Sequence, residues 1–310
     1  MDVSVVVCTY NRADTVVHCL GTLREQEVPP DLKWEVVVVD NNSTDGTRAA
    51  VERFLAEGPH NFRYLFEGRQ GKSHALNTGV RCTSGRIIAF LDDDVTVDRR
   101  WLANVIRIFE QYRCAGMGGR IIADWKCEPP SWLRLSDENQ FRGIIPDFDF
   151  GTEPCPLPYP EAPFGANAAF TREAFEKYGG YRTELGPPTV PGVVAGEDTE
   201  FGQRLLKAGE VIMYAPDAVV RHPVDEGRLR KAFFRRWYFN CGRGALRIEK
   251  VPNGAAHYFG VPRYLYRELA GSVLKLLRNL YRGRPFYDEL LIWYHAGRMV
   301  EARSMFHRGE

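Results

Sequence analysis

The chain has no pair of cysteines at Cys-x-x-Cys spacing. Its 7 cysteines (8, 19, 82, 114, 127, 155 and 241) are odd in number and scattered, several within apolar runs. That excludes a disulfide framework and a zinc site, and it reads as reduced thiols in a cytosolic protein. No apolar run approaches the roughly 18 residues that cross a bilayer as a helix. No signal peptide is expected, because a strand pattern begins at Val3. A phosphate loop is missing too. Gly71-Lys72-Ser73 has the ending of the NTPase motif, but its first glycine would fall at Phe66. Net charge is nearly absent, +1 over 310 residues. The balance hides an asymmetry: residues 226–310 hold 17 Lys and Arg against 7 Asp and Glu, or +10, leaving −9 for the rest. An acidic body suits cation binding, and a basic tail suits an anionic surface or phosphate.

What is present is an alternation. Val3 to Cys8, Trp34 to Val39 and Asn61 to Phe66 read as strands, as does Arg86 to Leu91. Helical patterns follow each: to about Gln26, to about Ala56, from Gly71 to Val80, and from Arg99 to Tyr112. Short loops between them predict an α/β fold with a mostly parallel sheet. Ligands of such sheets lie past the carboxyl ends of the strands. Three of those ends carry polar loops: Thr9-Tyr10-Asn11-Arg12, the stretch Asp40 to Asp45, and Asp92-Asp93-Asp94. A carboxylate placed as Asp40 is can accept from a ribose or a base N–H. Three adjacent carboxylates repel one another and attract a cation, and hard oxygen ligands suit Mg²⁺ or Mn²⁺. A solvated acidic turn opening the next helix is the alternative.

From 125 to 163 the pattern dissolves into prolines and aromatics, Trp132 among them. This segment forms either an acceptor-facing wall or a loop whose rings plug its own core. The tight run Phe164-Gly165-Ala166-Asn167 allows close approach by a ligand. Glu197 and Asp198 open a helix ending at Gly209; they serve its dipole, or one is a general base. Val211 to Tyr214 and Ala218 to Arg221 read as two short strands, with His222 past the end of the second. His222 is structural or a ligand. In the tail, Arg235 and Arg236 suit phosphate oxygens if the tail folds over the site. Within 262–282, Leu265, Leu269, Val273, Leu276 and Leu280 form one stripe, with Arg263, Arg267, Lys275, Arg278 and Arg282 opposite and Leu274 intruding. Such a helix lies on an anionic membrane surface or packs on another part of the protein.

Four of these motifs, in order, resemble the family-2 glycosyltransferases of the GT-A fold: Val5 to Arg12, Val37 to Thr47, Leu91 to Asp94, and Gly196-Glu197-Asp198 with Arg204-Leu205 and Gly209. The resemblance covers about residues 1–222. It implies a Rossmann-like, mostly parallel sheet with helices on both faces, over 1–225, plus a mainly helical basic extension over 226–310. It further implies metal-dependent transfer of a hexose-like sugar, with inversion, from a nucleoside diphosphate donor to a hydroxyl. UDP-sugars are favoured, and the acceptor is a glycan or a lipid-linked molecule. Thr9, Tyr10, Arg12, Asp40 and Asp45 would form the nucleotide pocket, with Lys72 and Asn77 at its edge. Asp92 and Asp93 would face ribose and diphosphate. Asp94 and His222 would hold Mn²⁺ or Mg²⁺. Asp198 would be the base, with Glu197 beside it, and Trp132, Gly165, Ala166 and Asn167 would lie on the acceptor side.

Two other readings remain at this point. One is a module that binds a nucleotide sugar without turning it over. The other is a dehalogenase-type phosphatase, whose Asp-x-Asp-x-Thr pattern Asp92 to Thr96 matches. No nucleic-acid motif is legible in the tail, so no nucleic-acid partner is expected. The expected location is cytoplasmic, either free or peripheral at the inner face of the membrane.

Overall fold

The computed structural model describes residues 1–58, 60–133, 141, 143–187, 191–280 and 285–309. They form two compact units. The first comprises Met1–Lys126, Ile145–Thr183 and Glu197–Val224; the second comprises Cys127–Ile144, Glu184–Gly196 and Asp225–Glu310.

In the first unit the chain runs β1 (Val3–Thr9), α1 (Ala13–Arg24), β2 (Trp34–Asp40), α2 (Thr47–Ala56), β3 (Phe62–Phe66), α3 (Lys72–Cys82) and β4 (Ile87–Asp92). It continues through β5 (Thr96–Val97), α4 (Trp101–Gln111), β6 (Gly116–Trp125), β7 (Cys155–Pro156), β8 (Asn167–Thr171), α5 (Arg172–Tyr178), α6 (Glu197–Lys207) and β9 (Ile212–Val224). The sheet order is β3-β2-β1-β4-β8-β6-β9-β5, with β7 paired to β9. Val5 to Val7, Val36 to Val39 and Ile87 to Ala89 are all fully buried. Unbroken apolar runs of this kind need both sheet faces covered, which α-helical crossovers between parallel strands provide.

Register places the chemistry. Thr9 pairs with Asp40 across β1 and β2, and Cys8 with Asp92 across β1 and β4. The polar strand ends therefore share one edge of the sheet. The two short strands expected after Val211 are in fact the single β9. Its partner β6 shifts register between Gly119 and Ile121, so that Ala215 and Val220 face neighbouring positions while Pro216 to Val219 bulge out. A bulge tolerates a proline that a regular ladder would not. Pairing with β6 then runs on to Val224, so His222 lies inside β9, opposite Ala123, and not past a strand end.

The second unit holds α7 (Lys231–Glu249), β10 (His257–Tyr258), β11 (Val261–Pro262), α8 (Arg263–Asn279) and α9 (Pro285–Arg308). Its apolar core is small, with Leu246, Val261, Leu265 and Ala302 at the centre. Charge supplements it: Glu301, fully buried, lies 2.8 Å from Arg243 Nε and 2.6 Å from Arg247 Nη2. α7 and α9 meet backbone to backbone. A Cβ on Gly242 would stand 1.9 Å from Tyr294 O, and one on Gly297 2.0 Å from Phe239 O.

Gly242→Ala should therefore cost about 1–3 kcal/mol, because two backbones must separate. Gly21→Ala, in α1 with nothing within 4 Å of the new methyl, should be neutral or stabilising by up to about 1 kcal/mol. Urea denaturation of both variants checks this; equal losses would contradict the close approach.

Candidate active site

The loops after β1 and β2 are built by asparagines in left-handed backbone, Asn11 at φ 52° and Asn42 at φ 64°. Asparagine tolerates this region better than most residues. Asn11 Oδ1 accepts from the Thr44 amide at 2.8 Å, and the Asn11 amide donates to Ser43 Oγ at 2.9 Å, so the two loops are tied. Asp40, almost fully buried, accepts from the Ser43 amide (2.9 Å) and from the Tyr64 hydroxyl (2.8 Å). Tyr10 stands exposed beside them.

At the end of β4 the three carboxylates each meet a different partner. Asp92 Oδ1 accepts from Lys72 Nζ at 2.6 Å. Asp93 Oδ2 accepts from Thr9 Oγ1 at 2.7 Å, and Asp94 Oδ2 from an Arg12 Nη at 2.6 Å. Burial pushes the Asp93 carboxyl up to about 6, against the pull of Arg12 and the Thr9 hydroxyl and with help from Asp94 and Asp92. Asp92 goes the other way: burial opposes its charge, but Lys72 and His222 hold it well below the usual carboxylate range. His222 Nε2 lies 3.6 Å from Asp94 Oδ1 and 3.8 Å from Asp92 Oδ2. Its Nδ1 lies 3.2 Å from Pro223 O. A carbonyl can only accept, so Nδ1 donates to it, and Nε2 is the ring nitrogen that faces the acids.

Does this corner fit a cation? One donor atom each from Asp92, Asp94 and His222 lie within 4.8 Å of one another. Asp94 Oδ1 is buried with no hydrogen-bond partner among the described residues. A buried, unpaired carboxylate oxygen is costly. Two carboxylates and an imidazole are ligands that Mn²⁺ accepts and that Mg²⁺ takes less readily.

The second acidic element reaches the same place. Lys72 Nζ stands 3.9 Å from Glu197 Oε1 as well as beside Asp92. Despite burial, Asp92 and Glu197 keep Lys72 protonated well above its ordinary range. Burial, and next the neighbouring Asp198 charge, push Glu197 up to about 7 although Lys72 opposes this. Asp198 Oδ2 accepts from the Gly165 amide at 3.0 Å, and Oδ1 from the Thr199 amide at 2.7 Å. A Cβ on Gly165 would lie 3.6 Å from Lys72 Nζ and 3.7 Å from Asp198 Oδ2. Gly165 is thus where the two acidic elements converge.

The structure gives several of the expected site residues other partners. Asn167 is fully buried: its amide donates to Arg120 O and Ala218 O, and its carbonyl accepts from Trp101 Nε1. Both N–H groups brace neighbouring strands and the side chain is fully buried, so it is a brace and not an acceptor contact. Ala166 is buried beside it. Asn77 brackets Tyr181, donating to its carbonyl and accepting from its amide, both at 2.8 Å. Asp45 accepts from the Thr47 amide and hydroxyl at the start of α2. Trp132, Arg235 and Arg236 belong to the second unit. There Trp132 packs edge-on against Phe234 and Phe286, and Arg235 forks onto Glu289. Arg236 is exposed, with its guanidinium over Phe233.

Two residues that the sequence showed only as motif members turn out to position others. Asn41 donates to Arg69 O and accepts from the Gly71 amide, both at 2.7 Å, which fastens the loop that delivers Lys72. Arg204 donates to Gly180 O at 3.0 Å and pairs with Glu200, fixing the turn that Asn77 also holds. Polar residues next to a strand end are a signal for such knots, but not for which partner they take.

Comparison with known proteins agrees with this geometry. The model of glycosyl transferase family 2 matches residues 4–179. The chain is 29% identical over 254 residues to the succinoglycan biosynthesis protein ExoM of Rhizobium meliloti (strain 1021), covering 81% of this chain and 77% of that one. It is 28% identical over 249 residues to the glycosyltransferase AglE of Haloferax volcanii, covering 79% and 73%. Among solved structures it resembles the mannosyltransferase PcManGT from Pyrobaculum calidifontis, in complex with GDP-Man and Mn²⁺, at TM-score 0.60 and 24% identity, covering 96% and 86%. That likeness is one of fold. The phosphatase reading fails, since the acidic trio ends the fourth strand in the chain and the matched family is a different one. Matched through more than half of its length, the chain belongs to glycosyl transferase family 2 and is a glycosyltransferase.

Proposed function

We propose that the protein transfers a sugar, with inversion, from a nucleoside diphosphate donor to a hydroxyl of a glycan or lipid-linked acceptor, and that Mn²⁺ or Mg²⁺ is required. The observation that carries this is the convergence of Asp92, Asp94 and His222 with Lys72, Glu197 and Asp198 at one edge of the sheet. Relatives named for succinoglycan biosynthesis and for glycosyl transfer support a role in glycan assembly. The GDP-Man and Mn²⁺ held by a protein of similar fold support a nucleotide sugar and a divalent ion.

In this reading Asp40, with Thr9 and Tyr10 beside it, receives the base; we favour a UDP-sugar. Arg12 and Lys72 offset the charge that grows on the diphosphate as it leaves. Asp94, Asp92 and His222 hold the ion, which when bound supplies Lewis-acid stabilisation of the leaving group. Asp198 takes the acceptor proton as the hydroxyl attacks the anomeric carbon from the face opposite the diphosphate. A single displacement inverts that centre. Gly165 fixes the Asp198 carboxylate through its amide and, having no side chain, leaves room for the acceptor. Glu197, buried beside Lys72, balances that cation and is not itself the base.

We place the enzyme in the cytoplasm, peripheral at the inner face of a membrane. Scattered thiols support a reducing compartment. No helix among the described residues is long and apolar enough to cross a membrane.

Asp198→Asn should lower turnover by about 10²- to 10⁴-fold, the usual contribution of a general base, while donor binding survives. Steady-state rates beside donor titration check this; unchanged turnover would refute the assignment. A panel of UDP- and GDP-sugars should raise the melting temperature only for the true donor and mainly with Mn²⁺ present, since ligands of the folded state stabilise it by mass action. His222→Ala should remove most of the metal-dependent part. A full shift without metal would contradict the ion's role.

A further inference from the structure

The single apolar stripe expected on α8 is two. Leu265 is fully buried, and Leu269 and Leu276 are half-buried. This side meets α9, as Glu268 with Arg298 and Asn279 with Asp288 show. Val273 and Leu280 instead join Leu274 and Leu277, all four 38% to 54% exposed. With Ala270 and Tyr266 they follow the spacing of one helix face. No described residue of the second unit covers it. Isolated exposed apolar residues are ordinary, but a run along a helix some 25 Å long is not.

A second observation lies at the end of that face. Between β10 and β11 the turn residues Phe259 (φ 51°) and Gly260 (φ 78°) are both left-handed. Such turns strongly favour Asn-Gly; a phenylalanine there is strained. Phe259 is nevertheless 89% exposed, so its own packing does not offset that strain. The tip stands on the α8 face, because Tyr266 donates to Tyr258 O at 3.1 Å and the two rings are 6.5 Å apart.

Charge selects the occupant. α8 carries Arg263, Arg267 and Arg278, while its Lys275 and its one acid, Glu268, are paired to α9. Arg267 and Arg278 are exposed and have no ion pair among the described residues. Aliphatic side chains and aromatic rings flanked by long cations are the pattern that sinks into the boundary between headgroups and acyl chains, with the cations reaching back to phosphates. We propose that this face, from Phe259 to Leu280, docks on an anionic lipid surface. The proposal deepens the peripheral location given above and rests on it, not on the donor chemistry.

Co-sedimentation of the full chain with phosphatidylcholine vesicles, with and without phosphatidylglycerol, tests it. The chain should pellet with the anionic vesicles and be released as salt screens the attraction. The double variant Leu274→Glu with Leu277→Glu, and separately Phe259→Ser, should bind about tenfold or more weakly, since each loses buried apolar area. All three sites are exposed, so melting temperatures should not fall. Failure to pellet with anionic vesicles at low salt would overturn the proposal, as would equal binding by the variants. A dimer that the double variant dissolves, without vesicle binding, would assign the face to a second copy of the chain. Vesicle binding without a donor-induced melting shift would leave the surface standing and fail the donor reading.

Discussion

Three neighbouring carboxylates at the end of a buried strand cannot coexist in ionised form without positive charge close by. The chain meets this demand from several places. Lys72 comes from the start of α3, Arg12 from the loop after β1, and a hydroxyl from Thr9. One carboxylate oxygen, on Asp94, still has no partner among the described residues and is faced by His222. This unbalanced negative charge is what the proposed ion site rests on.

Lys72 has a second consequence. Its ammonium lies between Asp92 and Glu197, residues more than a hundred positions apart, so one cation binds the acidic strand end to the start of α6. Removing it would leave uncompensated carboxylates on both sides, which costs more than the pair itself contributes. Around it stand neutral polar knots at Asn41, Asn77 and Asn167, each with its side-chain amide hydrogen-bonded to backbone. They hold the strand ends and turns rigid, so that the charged groups need not reorganise when a substrate arrives.

The parallel strands and the acidic trio were legible because both are local. Val36 to Val39 form an unbroken apolar run, and Asp92 to Asp94 follow one directly. The knots were not legible, since Asn167 as ligand contact and Asn167 as brace look identical until Trp101 and Ala218 are brought to it. His222 was misplaced for a related reason: His222-Pro223 reads as the stop of a strand, and only the pairing with β6 shows that β9 runs on to Val224. On α8, helical spacing merged two stripes into one, since Val273 and Leu280 are exposed while Leu265 is buried; periodicity reports apolar character and not its cover. In the aromatic segment Phe148 and Phe150 pack with Tyr214 in the first unit, while Tyr159 stands exposed.

The most direct measurement is anomalous scattering from crystals grown with Mn²⁺ and a nucleoside diphosphate. The account predicts one strong manganese peak at the ligand atoms of Asp92, Asp94 and His222. It also predicts the base beside Asp40. A nucleotide bound elsewhere, or bound at this edge with manganese away from Asp94 and His222, would contradict it.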